Sequence, residues 1–315
     1  MSDLVGGGLL LVDKPAGCTS HDVVGRLRRV LGTKKVGHAG TLDPMATGLL
    51  VIAVERSTKL LGHLSLTDKT YLATIRLGSS TTTDDAEGKM LATAEPAALD
   101  AVTDDAVTAV IGTLTGPILQ VPSSVSAIKV DGQRAYDRVR AGEQVELAAR
   151  PVTIHRFDVL GPIRRGDDAI DLDVLVECTT GTYIRSLARD LGAALGVGGH
   201  LTALRRTTVG PFAIAGAVDV YGPDGVPERG GPRPEITAEF SARVAAAIIP
   251  AADAVRLAFA TRDVDGALAR DVRYGRPVPA SGIPGVYGLL HDGDLLALVE
   301  ESGGQARPRL VFDPA

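Results

Sequence analysis

The chain has 315 residues, a net charge of −5 and 45% hydrophobic residues, so a sizeable core can be buried and wholesale disorder is excluded. The acidic balance argues against a non-specific nucleic-acid coat, which would be basic throughout, but it leaves room for a local basic groove. Two distant cysteines, Cys18 and Cys178, exclude a disulfide scaffold and a cysteine zinc site; the sequence also lacks a basic-then-apolar leader and any apolar run of about 18 residues, so a cytoplasmic protein outside the membrane is expected.

Residues 9–12 form a short apolar run that predicts a buried strand, followed by a loop at Asp13-Lys14-Pro15-Ala16-Gly17. Ser20 is placed to cap a helix reaching about Leu31, with Val23, Val24, Leu27, Val30 and Leu31 on one face and Gly32 as its stop. Between Asp22 and Lys35 there are five basic residues and one acidic: Arg26, Arg28, Arg29, Lys34 and Lys35 against Asp22. That face can be a solvated surface or a phosphate-contacting one.

Residues 49–54 predict a second buried strand, and the alternation of Tyr71, Ala73, Ile75 and Leu77 predicts a half-buried one over 70–77. A polar loop is expected over 79–89, then one helix over 97–114 ended by Gly116-Pro117. The stretch 123–150 reads as a projecting arm: a short strand, a turn at Asp131-Gly132, and a polar helix with Arg134, Arg138 and Arg140. Residues 170–176 alternate again and lead through Gly181 into helical spacing at Ile184, Leu187, Leu191 and Leu195. This strand–turn–helix unit puts Tyr183 and Arg185 at a helix start; Leu204-Arg205-Arg206 follows a Gly-rich turn. Four Gly and four Pro within residues 222–234 mark a linker or loop. Beyond it, apolar residues 245–257 and short β-like runs at 286–290, 295–299 and 310–312 predict a small, mostly β domain.

Several familiar chemistries find no support. The Gly32–His38 segment has phosphate-loop glycine spacing, but His38-Ala39 stands where Lys-Ser/Thr is required. No HExxH, GxGxxG after a strand, or GxSxG appears, and the six histidines have no metal spacing. What stands out is residues 37–48, GHAGTLDPMATG. Three glycines and Pro44 crowd one carboxylate, Asp43, and Pro44 pushes Asp43 toward extended geometry. By itself the segment fits either a turn opened by Asp-Pro or a constrained site carboxylate. Tyr71 fits a core aromatic as well as a site residue. Arg185, at a helix start where the dipole disfavours a cation, would be better placed with a carboxylate partner.

At these residues the chain resembles the bacterial TruB-type tRNA pseudouridine-55 synthases. The resemblance runs from Asp13-Lys14-Pro15 through residues 37–50, Lys69-Thr70-Tyr71, residues 121–134, Gly181–Arg185 and His200–Arg206, in order, covering nearly all of 9–215. It implies an α+β fold: a pseudouridine synthase catalytic domain with a mixed, largely antiparallel central sheet flanked by helices, over 1–245. The arm at 123–150 and the Gly/Pro-rich loop at about 221–241 lie within it, and a small β-rich, PUA-like RNA-binding domain occupies 252–315. It implies an isomerase that needs no cofactor and no metal, acting on the uridine at position 55 in the T stem-loop of tRNA. The nucleophile falls on Asp43, the active-site tyrosine on Tyr71 and the carboxylate-pairing arginine on Arg185. Contacts to a flipped uridine fall on His38, Tyr183 and Leu204, and Lys14, Arg205 and Arg206 are further substrate contacts. A monomer without an obligatory protein partner is expected. Two alternatives stay open at this point: a guide-RNA-dependent synthase of the same superfamily, which would carry longer basic extensions, and a tRNA-binding folding factor.

Overall fold

The computed structural model describes residues 7–123, 129–130, 133–134, 147–222, 225–227, 231 and 235–315. They fall into two compact units. One takes in residues up to Pro44, Gly48–Ser65 and Val209–Ala315; the other takes in Met45–Thr47 and Leu66–Thr208. No helix among the described residues is long and apolar enough to cross a membrane.

In the first unit, the predicted strand at 9–12 is Gly8–Lys14, and it pairs antiparallel with Thr47–Val54 in the register Leu9↔Ala53, Leu11↔Val51. Both strands are buried almost throughout, which is why they read as unbroken apolar runs rather than alternating ones. Val36–Ala39 also pairs with Thr47–Val54, and Ile249–Pro250 extends the other edge. The helix is Ser20–Val30, but its cap is Thr19 rather than Ser20. Thr19 Oγ1 accepts from Asp22 N at 3.1 Å, and Asp22 Oδ2 accepts from Thr19 N at 2.8 Å, a reciprocal capping box.

The C-terminal strands form a five-stranded sheet in the order Thr261–Asp263, Val286–His291, Asp294–Ser302, Gln305–Val311, Val278–Pro279. The pairings are antiparallel except the first. Two tight turns, Asp292-Gly293 and Gly303-Gly304, carry positive φ at both central residues, as a hairpin following right-handed strand twist requires. One face of this sheet buries its own cluster around Val272, Tyr287 and Leu289. Leu290, Leu295, Leu298 and Phe312 instead join Leu9, Leu11, Leu49 and Val51 in a second cluster. The sheet therefore shares a core with the N-terminal strands rather than standing apart from them.

In the second unit the strand order is Gly199–Val209, Lys69–Leu77, Ile170–Cys178, Arg150–Arg165, Gly116–Gln120. Tyr71 faces Val176 across the Lys69–Leu77/Ile170–Cys178 pair. Tyr71, Ala73, Ile75 and Leu77 share the buried face, as their alternation predicts. Helix Ile184–Ala194 buries Ile184, Leu187 and Leu191.

Two local expectations differ from the structure, and a third gains detail. Ser79–Thr81, within the expected 79–89 loop, is a strand that pairs with Met90–Thr93. The 97–114 helix is two helices, Pro96–Asp100 and Asp104–Thr113, because Thr103 caps the second through Ala106 N. The Gly-rich turn before Leu204 opens a strand that runs from Gly199 to Val209. Of the arm, strands Lys129–Val130 and Gln133–Arg134 pair antiparallel; the helix expected with Arg138 and Arg140 lies outside the described residues, as does much of the 222–234 stretch.

Candidate active site

Asp43 is half-buried in the short segment between the Val36–Ala39 and Thr47–Val54 strands. Gly40 and Gly48 on either side have φ of 88° and 101°, values that L side chains rarely adopt, so glycine is required at both. At Gly37 a Cβ would lie 2.7 Å from Leu61 Cδ1, the tip of a side chain in the short helix packed on this strand, so a larger residue there would push Leu61 aside.

The main chain flanking Asp43 is pinned on both sides. Leu42 N donates to Ser20 Oγ at 2.9 Å, and Ser20 Oγ donates back to Leu42 O at 3.2 Å. Pro44 O accepts from Gly17 N at 2.9 Å and from Lys14 Nζ at 3.2 Å. Lys14 also donates to Pro15 O at 2.8 Å and Cys18 O at 2.7 Å, and its side chain is fully buried. An ammonium surrounded by carbonyls is held in place by them, so Lys14, expected as a substrate contact, has the geometry of a clamp on the Asp43 segment. His38 lies opposite Ile52, with its ring edge-on to His21 at 6.4 Å.

The basic face predicted on the Ser20–Val30 helix is smaller than the sequence suggests. Arg26 is buried: its guanidinium lies over Tyr221 at 5.1 Å and Phe240 at 5.4 Å, and it donates to Val220 O. Its aliphatic stem continues the apolar stripe while aromatic faces and a carbonyl take up the charge. Arg28, Arg29, Lys34 and Lys35 remain exposed.

The other unit holds Tyr71, Tyr183, Arg185, Leu204, Arg205 and Arg206. Tyr183 is the N-cap of the Ile184–Ala194 helix and has no side-chain cap of its own. Gln120, 2% exposed, holds the main chain of Tyr183 in both directions: Tyr183 N donates to Gln120 Oε1 at 2.8 Å, and Gln120 Nε2 donates to Tyr183 O at 3.1 Å. Arg185 is buried at the helix start with a carboxylate 3.5 Å away, that of Asp85. It also donates to Thr83 O at 2.8 Å and to Ser123 Oγ at 3.3 Å. Asp85 is oriented in turn by Thr83 Oγ1 and by Glu87 N at 3.1 Å.

Tyr71 lies on the buried strand face two residues from Lys69. Burial and the charge of Arg206 hold the Lys69 ammonium down at about 8, well below the usual lysine range. Arg205 donates to Thr47 Oγ1 at 3.4 Å, and Thr47 Oγ1 donates to Leu204 O at 3.5 Å. Arg206, expected as a substrate contact, is only 1% exposed.

Sequence reasoning missed Ser20, Asp85, Gln120 and Ser123. Ser20 was visible only as a helix cap, and Asp85 lay inside a polar stretch with no periodicity. Gln120 acts through main-chain bonds to a residue 63 positions away.

Residues 28–184 match the family model described as TruB family pseudouridylate synthase, N terminal domain. Residues 185–221 match the tRNA pseudouridylate synthase B C-terminal domain, and residues 259–313 the tRNA pseudouridine synthase II C-terminal model. A tRNA pseudouridine synthase B of Nocardia farcinica is 56% identical over 313 residues, covering 98% of this chain and 94% of its own. That of Thermobifida fusca is 53% identical over 310 residues, covering 97% and 98%. Among solved structures, a chain from a Cbf5-Nop10-Gar1 complex superposes with a TM-score of 0.69 at 26% identity, covering 98% of this chain and 86% of that one. With its motif segments in order and relatives matched end to end, the chain belongs to the TruB family of pseudouridylate synthases.

Proposed function

We propose that this protein is a tRNA pseudouridine synthase that isomerises the T-loop uridine at position 55. The reaction breaks the N1–C1′ glycosidic bond and joins C5 of the uracil to C1′. N1 gains a proton and C5 loses one, so no oxidant, reductant or cofactor is consumed. The observation that carries the reading is the carboxylate of Asp43, held on a segment pinned at both flanking peptides, in a chain whose full-length relatives are named for this activity.

A uridine inside a folded loop must first leave its stack. His38 would fill the vacated stacking space, and Tyr183, Leu204 and Arg205 would contact the extruded nucleotide. Asp43 acts as the nucleophile, at C1′ or at C6 of the base. Arg185 keeps that carboxylate ionised and aimed. Tyr71 stacks on the uracil and takes part in removing the C5 proton; a phenol with an ordinary pKa near 10 needs a helper for this at neutral pH. Arg28, Arg29, Lys34 and Lys35 supply phosphate contacts, and the C-terminal sheet serves as a PUA-type RNA-binding element. The protein acts as a monomer in the cytoplasm, without an obligatory protein partner.

The test is to incubate the purified chain alone with an unmodified T-arm RNA and map pseudouridine by position. Product at the uridine corresponding to position 55, formed without guide RNA or added protein, is the expected result. No product from folded, RNA-bound protein rejects the reading in favour of a binding or folding factor.

A further inference from the structure

We propose that Ser20 is a positioning residue for the reaction: its hydroxyl fixes the peptide that precedes Asp43 and so sets where the carboxylate points. This rests on the reading of Asp43 as nucleophile. Ser20 is 2% exposed, and its hydroxyl is used in both directions on one partner, accepting from Leu42 N at 2.9 Å and donating to Leu42 O at 3.2 Å. A serine hydroxyl has one proton and two acceptor sites, so this pair occupies its donor and one acceptor.

Ser20 sits where a helix-capping role would be the ordinary explanation, yet that role is already filled. Thr19 and Asp22 form the complete capping box, and Ser20 is the first helical residue inside it. The helix therefore does not need the Ser20 hydroxyl; the Asp43 segment does. On the far side of Asp43, Pro44 O is held by Gly17 N and Lys14 Nζ. Without the Ser20 hydroxyl, Leu42 loses the hydrogen bonds at its N–H and C=O, so the peptide that precedes Asp43 is held less tightly and the carboxylate shifts. A shift of about 1 Å at a reacting group costs on the order of 100-fold in rate.

The experiment is single-turnover pseudouridine formation on T-arm RNA with saturating full-length enzyme, alongside RNA binding and thermal melts, for Ser20→Ala, Ser20→Thr, Thr237→Ala and Asp43→Asn. Thr237→Ala removes a cap hydrogen bond of 3.1 Å to Phe240 N and serves as a control for lost stability. Ser20→Ala is expected to slow the chemical step 10-fold or more with RNA affinity within 3-fold, Ser20→Thr to recover at least half the rate, and Thr237→Ala to react within 2-fold of the parent. A Ser20→Ala rate within 2-fold of the parent overturns the inference, as does an equal slowing in Thr237→Ala or no recovery in Ser20→Thr. If Ser20→Ala does not give folded protein, Ser20→Cys, which keeps the volume and weakens both hydrogen bonds, is judged by the same thresholds. Turnover retained in Asp43→Asn rejects the nucleophile reading itself; a dead Asp43→Asn beside a fast Ser20→Ala rejects only the role of Ser20.

Discussion

Arg185 and Asp85 form a buried ion pair: Arg185 Nη1 lies 3.5 Å from Asp85 Oδ2, and both side chains are 4% exposed. A guanidinium at a helix start opposes the helix dipole, and burial adds to the cost, so the carboxylate is what makes this position tolerable. Removing one partner of such a pair typically costs about 3–5 kcal/mol, because the other is left charged and uncompensated. Asp85→Asn keeps the shape and removes the charge. It is expected to lower unfolding free energy by about 3 kcal/mol in a denaturant titration and to slow pseudouridine formation at saturating RNA. An unchanged melting curve would show that Thr83 O and Ser123 Oγ suffice to hold Arg185.

Gln120 makes a second test of how the helix start is held. It serves the N–H and the C=O of Tyr183 together; Tyr183 O also accepts from Leu187 N at 3.3 Å, so an apolar replacement acts chiefly by taking away the acceptor of Tyr183 N. Gln120→Met is expected to destabilise by about 2 kcal/mol, within the range for unsatisfied buried groups. Gln120→Glu behaves differently with pH. Its ionised form accepts from Tyr183 N but faces Tyr183 O with a second oxygen, whereas its protonated form donates there. The folded state then binds the proton more tightly than the unfolded state, so stability must rise as pH falls. Urea unfolding at pH 8 and pH 5 should show Gln120→Glu gaining on Gln120→Met at the lower pH.

These two residues also mark the limit of what the amino-acid pattern discloses. Tyr71 could be placed on its strand because it, Ala73, Ile75 and Leu77 recur at every second position, the period of one strand face, and that face is the buried one. Asp43 stood out because glycine and proline restrict the backbone locally. Asp85 carried no such mark: its surroundings form a short hairpin whose outer strand is exposed throughout, so no burial pattern is written there. The Arg150–Arg165 strand was missed because register shifts between Ile154 and Arg156 and between Leu160 and Arg164 break the two-residue period. Arg26 misled in the other direction, since a charged side chain gives no hint in sequence of the aromatic rings and main chain that bury it.

Lys69 supplies a prediction with a sign. Burial, reinforced by the charge of Arg206, holds its ammonium at about 8, against an unfolded value near 10.4. Below pH 8 both states are protonated and the folded state carries the whole penalty. Between about 8 and 10.4 the unfolded chain binds more protons than the native one, so stability rises with pH through that window. Lys69→Met removes the penalty at every pH. The variant is expected to be more stable than the parent at pH 7, by roughly 2–3 kcal/mol before any lost contacts. That advantage should shrink steadily toward pH 10.5. Paired urea titrations at pH 7, 9 and 10.5 measure it, and a constant difference would show that Lys69 does not titrate in this range.

Gly192, within the helix that carries Arg185, sets a contest between two opposed effects. In an exposed helix Gly→Ala is favourable by about 1 kcal/mol, because alanine restricts the unfolded chain and suits the helix. Here a Cβ would lie 2.1 Å from the carbonyl carbon of Gly198 and 2.2 Å from Gly199 N. Those are backbone atoms at the start of the Gly199–Val209 strand, so no side chain can rotate aside and the helix itself must move. The approach is mutual: a Cβ on Gly199 would meet Ala188 O at 2.4 Å. Overpacking of this kind costs about 1–3 kcal/mol even where side chains can adjust, and against fixed main chain the upper end applies. Gly192→Ala should therefore destabilise by a net of about 2 kcal/mol or more in a thermal melt, despite its better helix propensity. Because the displaced helix carries Arg185 at its start, turnover should fall further than the folded fraction alone accounts for; if the two fall in proportion, the strain is absorbed at the Gly198 turn and does not reach Arg185.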